Sequence, residues 1–254
     1  MNNPTERFTE TVQDYIKYRP SYPKEVLQLL IDECDLRKNK IIADVGSGTG
    51  FLSKLFLNHG NLVYGVEPNR SMREAAEKYL KEYPNFFSIN GTAEATSLEN
   101  QSVDIITVGT AFHWFDIAKT KVEFRRILKI GGWVLLVWNV RNIEKSELLR
   151  DYESLLLEYG TDYKESNASK FNKTAVKEFF SPNEMKMCSF KNAQQFDWNG
   201  FKGRLLSTSY SLRPADDRYE EMLKKLKDIF ERYQKNGMVE FLYDTKLNYG
   251  RIHA

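Results

Sequence analysis

Three glycines at alternate positions, Gly46, Gly48 and Gly50, follow the carboxylate Asp44 at the end of the short apolar run Ile41-Ile42-Ala43-Asp44-Val45. Glycine reaches positive φ and has no Cβ, so such a turn brings the backbone directly against a ligand. The helix that starts at Phe51 offers first-turn N–H groups with no intrahelical partner, free to donate to ligand oxygens. Asn61 to Glu67 reads as a second strand with Glu67 at its carboxyl end, close to the ~20 residues after the first strand at which an acid meets a ribose diol. The spacing G-x-G-x-G departs from the G-x-G-x-x-G of a dinucleotide turn. Asp44 beside the turn would repel a diphosphate and suits a ligand carrying positive charge. In Gly109-Thr110-Ala111-Phe112-His113-Trp114-Phe115, His113 is the candidate general base, because histidine titrates near neutrality. The alternative is that His113 and Trp114 only shape the wall of a cleft.

The elements that must position these residues follow from periodicity. Lys24 to Cys34 predicts an amphipathic helix and Ile41 to Val45 a strand covered on both faces. Ser71 to Tyr83 predicts a helix with Ser71 and Glu74 as a capping box. Phe86 to Asn90 and Val103 to Val108 predict strands, and Lys119 to Leu128 a helix. Gly131-Gly132 reads as a turn before the strand Trp133 to Trp138. This alternation specifies an α/β fold, a doubly wound and mostly parallel sheet with helices on both faces. Beyond Asn139 the pattern changes. Ser146 to Tyr159 reads as a helix, Glu165 to Lys173 as a loop, Met185 to Phe190 and Ala193 to Trp198 as two strands, Pro214 to Gln234 as a charged helix, and Met238 to Tyr249 as a late strand. Gly160 to Ser211, rich in aromatics, reads as a cover over the site. Upstream, Tyr15, Tyr18 and Arg19 precede the punctuation Pro20-Ser21-Tyr22-Pro23; they form either a surface arm or a lid over the glycine turn.

Composition bounds the partners. The 254 residues carry 37 basic and 35 acidic side chains, a formal net charge of +2. That balance favours no polyanion, so no nucleic-acid partner is expected. Cys34 and Cys188 stand far apart without metal-ligand spacing, which argues against a zinc knuckle or a disulfide framework; no metal is expected, and a reducing cytoplasm is. No apolar run is long enough to span a bilayer, so no membrane partner is expected either.

Together the segments Tyr15 to Pro23, Asp44 to Gly50, Gly65-Val66-Glu67-Pro68-Asn69, Gly91-Thr92-Ala93-Glu94, Ala111 to Phe115 and Leu128 to Gly132 resemble the Rossmann-like S-adenosylmethionine-dependent methyltransferases. The likeness is to the branch of trans-aconitate and other small-molecule methyltransferases. It implies a seven-stranded sheet with an antiparallel last strand and a helical, aromatic insertion over the substrate. It also implies S-adenosyl-L-methionine as cofactor and S-adenosyl-L-homocysteine as product. Gly46, Ser47, Gly48 and Gly50 would then lie against the methionine part, with Asp44 beside them. Glu67 and Pro68 would hold the ribose side, Asn69 and Met72 would flank the adenosine, and Thr92, Ala93 and Glu94 would meet the adenine edge. Thr92 stands where related sequences commonly place an acid for the adenine amino group. Thr110, Ala111 and His113 would lie by the sulfonium, Tyr15, Tyr18 and Arg19 would close over the cofactor's carboxylate, and Trp114 would face the acceptor. Residues 1–140 are expected to form the cofactor-binding core with the arm at about 1–23, 141–215 the cover, and 216–254 the last helix and strand. The activity implied is methyl transfer to a small-molecule carboxylate, hydroxyl or amine by a monomer or homodimer. The alternative is a cofactor-binding protein without turnover that acts through a partner; a nicotinamide oxidoreductase stands behind both because of the glycine spacing. Arg141, Lys170, Lys173 and Arg204 either meet an acidic substrate or are solvated surface, and surface is the expectation.

Overall fold

Runs such as Ile41–Val45 and Trp133 to Trp138 carry apolar side chains on both faces, and a strand of that kind folds only between two helical layers. The computed structural model, which describes residues 16–164 and 173–252, shows this arrangement. In chain order the elements are α1 (Glu25–Glu33), β1 (Ile41–Val45), α2 (Phe51–His59), β2 (Leu62–Val66), α3 (Arg70–Tyr79), β3 (Phe86–Ile89), β4 (Val103–Gly109), α4 (Ile117–Ile127), β5 (Leu128–Arg141), α5 (Glu147–Tyr159), α6 (Lys173–Phe180), β6 (Met185–Phe196), α7 (Trp198–Leu206), α8 (Tyr219–Tyr233) and β7 (Val239–Gly250). They build one seven-stranded sheet of order β3-β2-β1-β4-β5-β7-β6. β1 to β5 pair in parallel, and β7 runs antiparallel between β5 and β6.

Alternation along each strand divides the core. Ala43, Val45, Ile106, Val108, Val134 and Leu136 face α4 and α6, meeting Phe124, Ile127, Phe179 and Phe180. Ile42, Val63, Ile105, Leu135 and Val137 face α1 and α2, meeting Leu30, Leu52 and Phe56. A third, more aromatic cluster sits where α5, α7 and α8 cover the ends of β6 and β7, around Tyr152, Phe201, Phe230, Phe241 and Tyr243. After β3 the chain crosses back to lay β4 beside β1, so the strand order switches between those two strands. Open α/β sheets bind ligands at the carboxyl ends of strands flanking such a switch. No helix among the described residues is long and apolar enough to cross a membrane.

Three local readings change. Met185 to Phe190 and Ala193 to Trp198 are not two strands: β6 runs unbroken from Met185 to Phe196, pairing residue by residue with β7. Polar Lys191 and Asn192 look like a break, but β6 is a sheet edge, where polar side chains keep one face in water. Ser71 does not cap α3; the Asn69 side chain accepts from the Met72 N–H, and Glu74 pairs with Arg70 instead. Gly131, at φ +80, does mark a turn, yet strand pairing exists on both sides of it, with Val103 opposite Leu128 and Ile105 opposite Trp133. Tyr15, Lys170 and the loop expected over Glu165 to Lys173 lie outside the described residues, except for Lys173, which begins α6 and is exposed.

Candidate cofactor and acceptor cleft

The carboxyl end of β1 runs straight into the glycine turn. Gly46, Gly48 and Gly50 have φ of +68, +54 and +84, a region glycine enters without cost. Gly46 and Ser47 donate to the Val66 carbonyl at 2.8 and 3.2 Å, which ties the turn to the end of β2. There the Glu67 carboxylate accepts from the Gly48 N–H at 3.0 Å and the Asn69 N–H at 2.9 Å. Burial pushes the Glu67 carboxyl above its usual range, and these two backbone donors pull it back towards the charged form. A β-carbon at Gly46 would come within 2.6 Å of the Ala111 side chain, whereas one at Gly48 would meet nothing within 4 Å. The turn is therefore packed at its start and open at its middle.

Asp44 is fully buried. Its two oxygens accept from Ser53 of α2 at 2.6 Å and Thr107 of β4 at 3.1 Å, the latter directly opposite it in the parallel register. Burial pushes its carboxyl up to about 6, and the two hydroxyls resist that rise.

A cleft of about 600 Å³, including the space open to solvent, lies over this turn. The carboxyl ends of β1, β4 and β5 supply Asp44, Gly46, Ser47, Gly48, Gly109, Thr110 and Asn139; the arm supplies Arg19, Pro20 and Tyr22, and α7 supplies Arg204. Thr110 sits at φ +58, an unusual conformation for a β-branched residue, fixed by its N–H donating to the Val137 carbonyl at 2.8 Å. The arm is fastened to the second half of the chain. Arg19 donates to the Ser207 carbonyl at 3.1 Å, Gln194 to the Tyr18 carbonyl at 3.4 Å, and Asn192 to the Ser21 carbonyl at 2.8 Å. The Tyr18 ring lies so close to Gly203 of α7 that a β-carbon there would approach it to 2.1 Å.

Of the residues singled out in the sequence, Arg19, Asp44, Gly46, Ser47, Gly48 and Thr110 line this one cleft, and Glu67 joins it through Gly48. Gly50 begins α2 against Leu80. Pro68, Asn69 and Met72 form the β2–α3 junction next to Glu67, with Arg73 donating to the Pro68 carbonyl at 2.7 Å. Thr92 and Ala95 bridge to each other after β3, Ala93 is buried, and the Glu94 carboxylate accepts from the Asp116 N–H at 2.8 Å. Ala111 abuts Gly46. His113 and Trp114 share a single 3₁₀ turn, Phe112–Trp114, with ring centroids 4.6 Å apart, and Trp114 is 36% exposed; neither is part of the cleft lining. Tyr22, Thr49, Phe51, Leu52 and Asn139 add to the lining, and Arg204, expected at the surface, belongs to it too. Asn139 had a readable signal, since it follows the apolar run of β5 at its carboxyl end. Arg204 is not solvated surface: it is 3% exposed, its Nε donates to the Tyr243 hydroxyl at 3.1 Å, and its guanidinium lies 5.6 Å from the Phe241 ring centre. Arg141 is inside too, pairing with Glu153 at 2.9 Å.

With this geometry in view, the likeness to known proteins is specific. The family model of a methyltransferase domain matches residues 43–136, the stretch from β1 to β5 that carries the turn. An uncharacterized methyltransferase of Mycobacterium bovis is 36% identical over 135 residues, 53% of this chain and 53% of that protein. A methyltransferase-like protein of Schizosaccharomyces pombe is 26% identical over 245 residues, 94% of this chain and 92% of that one. The matches to the first of these relatives span about half of their length. The solved structure of YcgJ from Bacillus subtilis has the same fold, with a TM-score of 0.57 at 23% identity over 90% of this chain and 98% of that chain. Residues 43–136 thus match a methyltransferase domain, and the seven-stranded fold is the one seen in YcgJ.

Proposed function

We propose that the protein transfers a methyl group from S-adenosylmethionine to a small-molecule acceptor. The observation that carries this reading is the open middle of the glycine turn, where the space over Gly48 has no side chain and the Gly48 N–H is fixed by Glu67. When bound, S-adenosylmethionine supplies a methyl group on a sulfonium, whose carbon bonds to an acceptor lone pair as the carbon–sulfur bond breaks with its electrons on sulfur, leaving S-adenosylhomocysteine.

In this reading Gly46, Ser47 and Gly48 hold the methionine part, and Glu67, oriented by two N–H groups, takes the ribose hydroxyls. Asn69 and Met72 flank the adenosine, with Thr92, Ala93 and Glu94 near the adenine. Arg19, anchored on the Ser207 carbonyl, takes the cofactor's carboxylate, with Tyr18 beside it. Thr110, held in a strained conformation, and Tyr22 bound the space where donor and acceptor meet. The work of these residues is alignment at near-attack distance and exclusion of water. His113 and Trp114 stand one turn beyond Thr110, where His113 would accept a proton only from a hydroxyl or amine acceptor. Residues 1–140 serve as the cofactor-binding part, 141–215 as its cover and 216–254 as the completion of the sheet, acting as a monomer or homodimer. The free cysteines Cys34 and Cys188 support a cytoplasmic setting.

Incubation with methyl-labelled S-adenosylmethionine and a panel of small carboxylates, alcohols and amines tests the activity. Labelled product that depends on the protein supports it; binding of the cofactor with no product from any acceptor class turns the reading to a binding protein without turnover.

A further inference from the structure

We infer that Arg204 holds a carboxylate of the methyl acceptor, so that the acceptor is a small carboxylic acid; this rests on the methyltransferase reading above. Arg204 lies on α7, faces the cleft and is 3% exposed. Among the described residues no carboxylate forms an ion pair with it, and its Nη1 has no hydrogen-bond partner. Its Nε donates to the hydroxyl of Tyr243, which in turn donates to the Gln194 side-chain oxygen at 3.0 Å, so neither partner is a carboxylate. A guanidinium withdrawn from water is tolerated when an anion completes it, and it is strongly unfavourable alone. The half-buried Arg141 shows the contrast, since it has Glu153.

Charge bookkeeping across the cleft points the same way. Arg19 and Arg204 bring two positive charges to its lining, and Asp44 brings one negative charge already engaged by Ser53 and Thr107. S-adenosylmethionine adds two cationic groups and one carboxylate, and Arg19 accounts for that carboxylate. Over these groups two positive charges remain in excess, and Arg204 is the lining cation with no carboxylate of its own among the described residues. A single carboxylate balances it, and the planar fork of a guanidinium fits the two oxygens of a carboxylate. A phosphate dianion would need a second unpaired cation beside Arg204, and Arg141 is taken.

The test titrates benzoate, succinate and citrate, each beside its matched amide, into protein saturated with S-adenosylhomocysteine, with inorganic phosphate as a further probe. At least one acid is expected to bind saturably and at least tenfold more tightly than its amide. Arg204→Met should weaken that acid tenfold or more and Arg204→Lys less, with affinity for S-adenosylhomocysteine unchanged in both. The ligand-free Arg204→Met protein should melt no lower than wild type, because it loses an uncompensated charge while Tyr243 keeps its bond to Gln194; a structural role for Arg204 would lower the melting temperature. The inference is overturned if no acid outbinds its amide in the wild type, a result that needs no variant. It is overturned equally if phosphate binds more tightly than any acid, if acid binding survives Arg204→Met, or if that substitution lowers the melting temperature. Weakened S-adenosylhomocysteine binding in Arg204→Met would assign the guanidinium to the cofactor's carboxylate and also overturn it. Failure of S-adenosylhomocysteine to bind the wild type would instead remove the underlying methyltransferase reading.

Discussion

Gly46 and Gly48 share positive φ but not surroundings, and the difference separates folding from binding. Alanine at either position carries the cost of a left-handed backbone, about 1–2 kcal/mol. At Gly46 the new β-carbon also meets Ala111 at 2.6 Å, so Gly46→Ala should lose roughly a further 1–3 kcal/mol to overpacking. Gly48→Ala should fold with the smaller loss alone but bind S-adenosylmethionine at least tenfold more weakly, because its methyl enters the open space over the turn. Urea unfolding and titration calorimetry on both variants would show this; equal stability losses would remove the distinction. Asp44 gives a second prediction, in pH. Folded, it holds its proton up to about 6, while the free side chain releases it near 3.8. Between those values the native state binds more protons than the unfolded chain, so the contribution of Asp44 to stability falls as pH rises. The two-unit displacement corresponds to at most about 3 kcal/mol. Relative to wild type, Asp44→Asn should gain stability from pH 4 to pH 6, by urea unfolding at three pH values. A difference that is flat or falls over that range would contradict the buried, proton-retaining Asp44.

At the scale of elements, the arm is held by α7 and β6 on one side and by the ends of β4 and β5 on the other, where Asn139 donates to the Ser21 carbonyl at 3.3 Å and Tyr22 meets Thr110. Tyr18 rests on Gly203, and Gln194, Asn192 and Ser207 take or give the arm's backbone and guanidinium bonds. Gly203→Ala should push Tyr18 away and shift Arg19 with it, lowering affinity for S-adenosylhomocysteine about tenfold with the far-ultraviolet circular dichroism unchanged; unchanged affinity would show that the arm does not contribute to binding. The elements that build the turn were legible in the sequence because both sources of order agree there. Ile41 to Val45 is apolar on both faces, and the glycines follow it at once. β6 was not legible as one strand because an edge strand needs no continuous apolar face, so Lys191-Asn192 resembled a break. The capping of α3 was misread by two residues because Ser71 and Asn69 are both good caps, and the choice between them is fixed by where β2 ends and Glu67 orients the Asn69 N–H. Arg204 could not be placed from sequence, since arginine is rarely buried and only the three-dimensional meeting of α7 with the cleft hides it.

For the molecule as a whole, the three large packed clusters leave one switch point in the sheet, and the cleft opens there. The first two clusters fix the two faces of the sheet, and the third carries α7, and so Arg204, to the rim of the cleft. The turn, Glu67 and the arm come from stretches far apart in sequence, which is why only their meeting at the carboxyl ends of β1, β2 and β4 makes a site. A ligand that binds only this assembled state stabilises the entire fold: at a hundredfold excess over its dissociation constant, S-adenosylhomocysteine would add about 2.7 kcal/mol and raise the melting temperature by roughly 5–11 °C. The most direct measurement is a calorimetric titration of S-adenosylhomocysteine into the wild-type protein and Glu67→Gln. Saturable one-site binding by the wild type, weakened at least tenfold in a folded Glu67→Gln, is predicted; folded wild-type protein that shows no saturable binding would contradict the account.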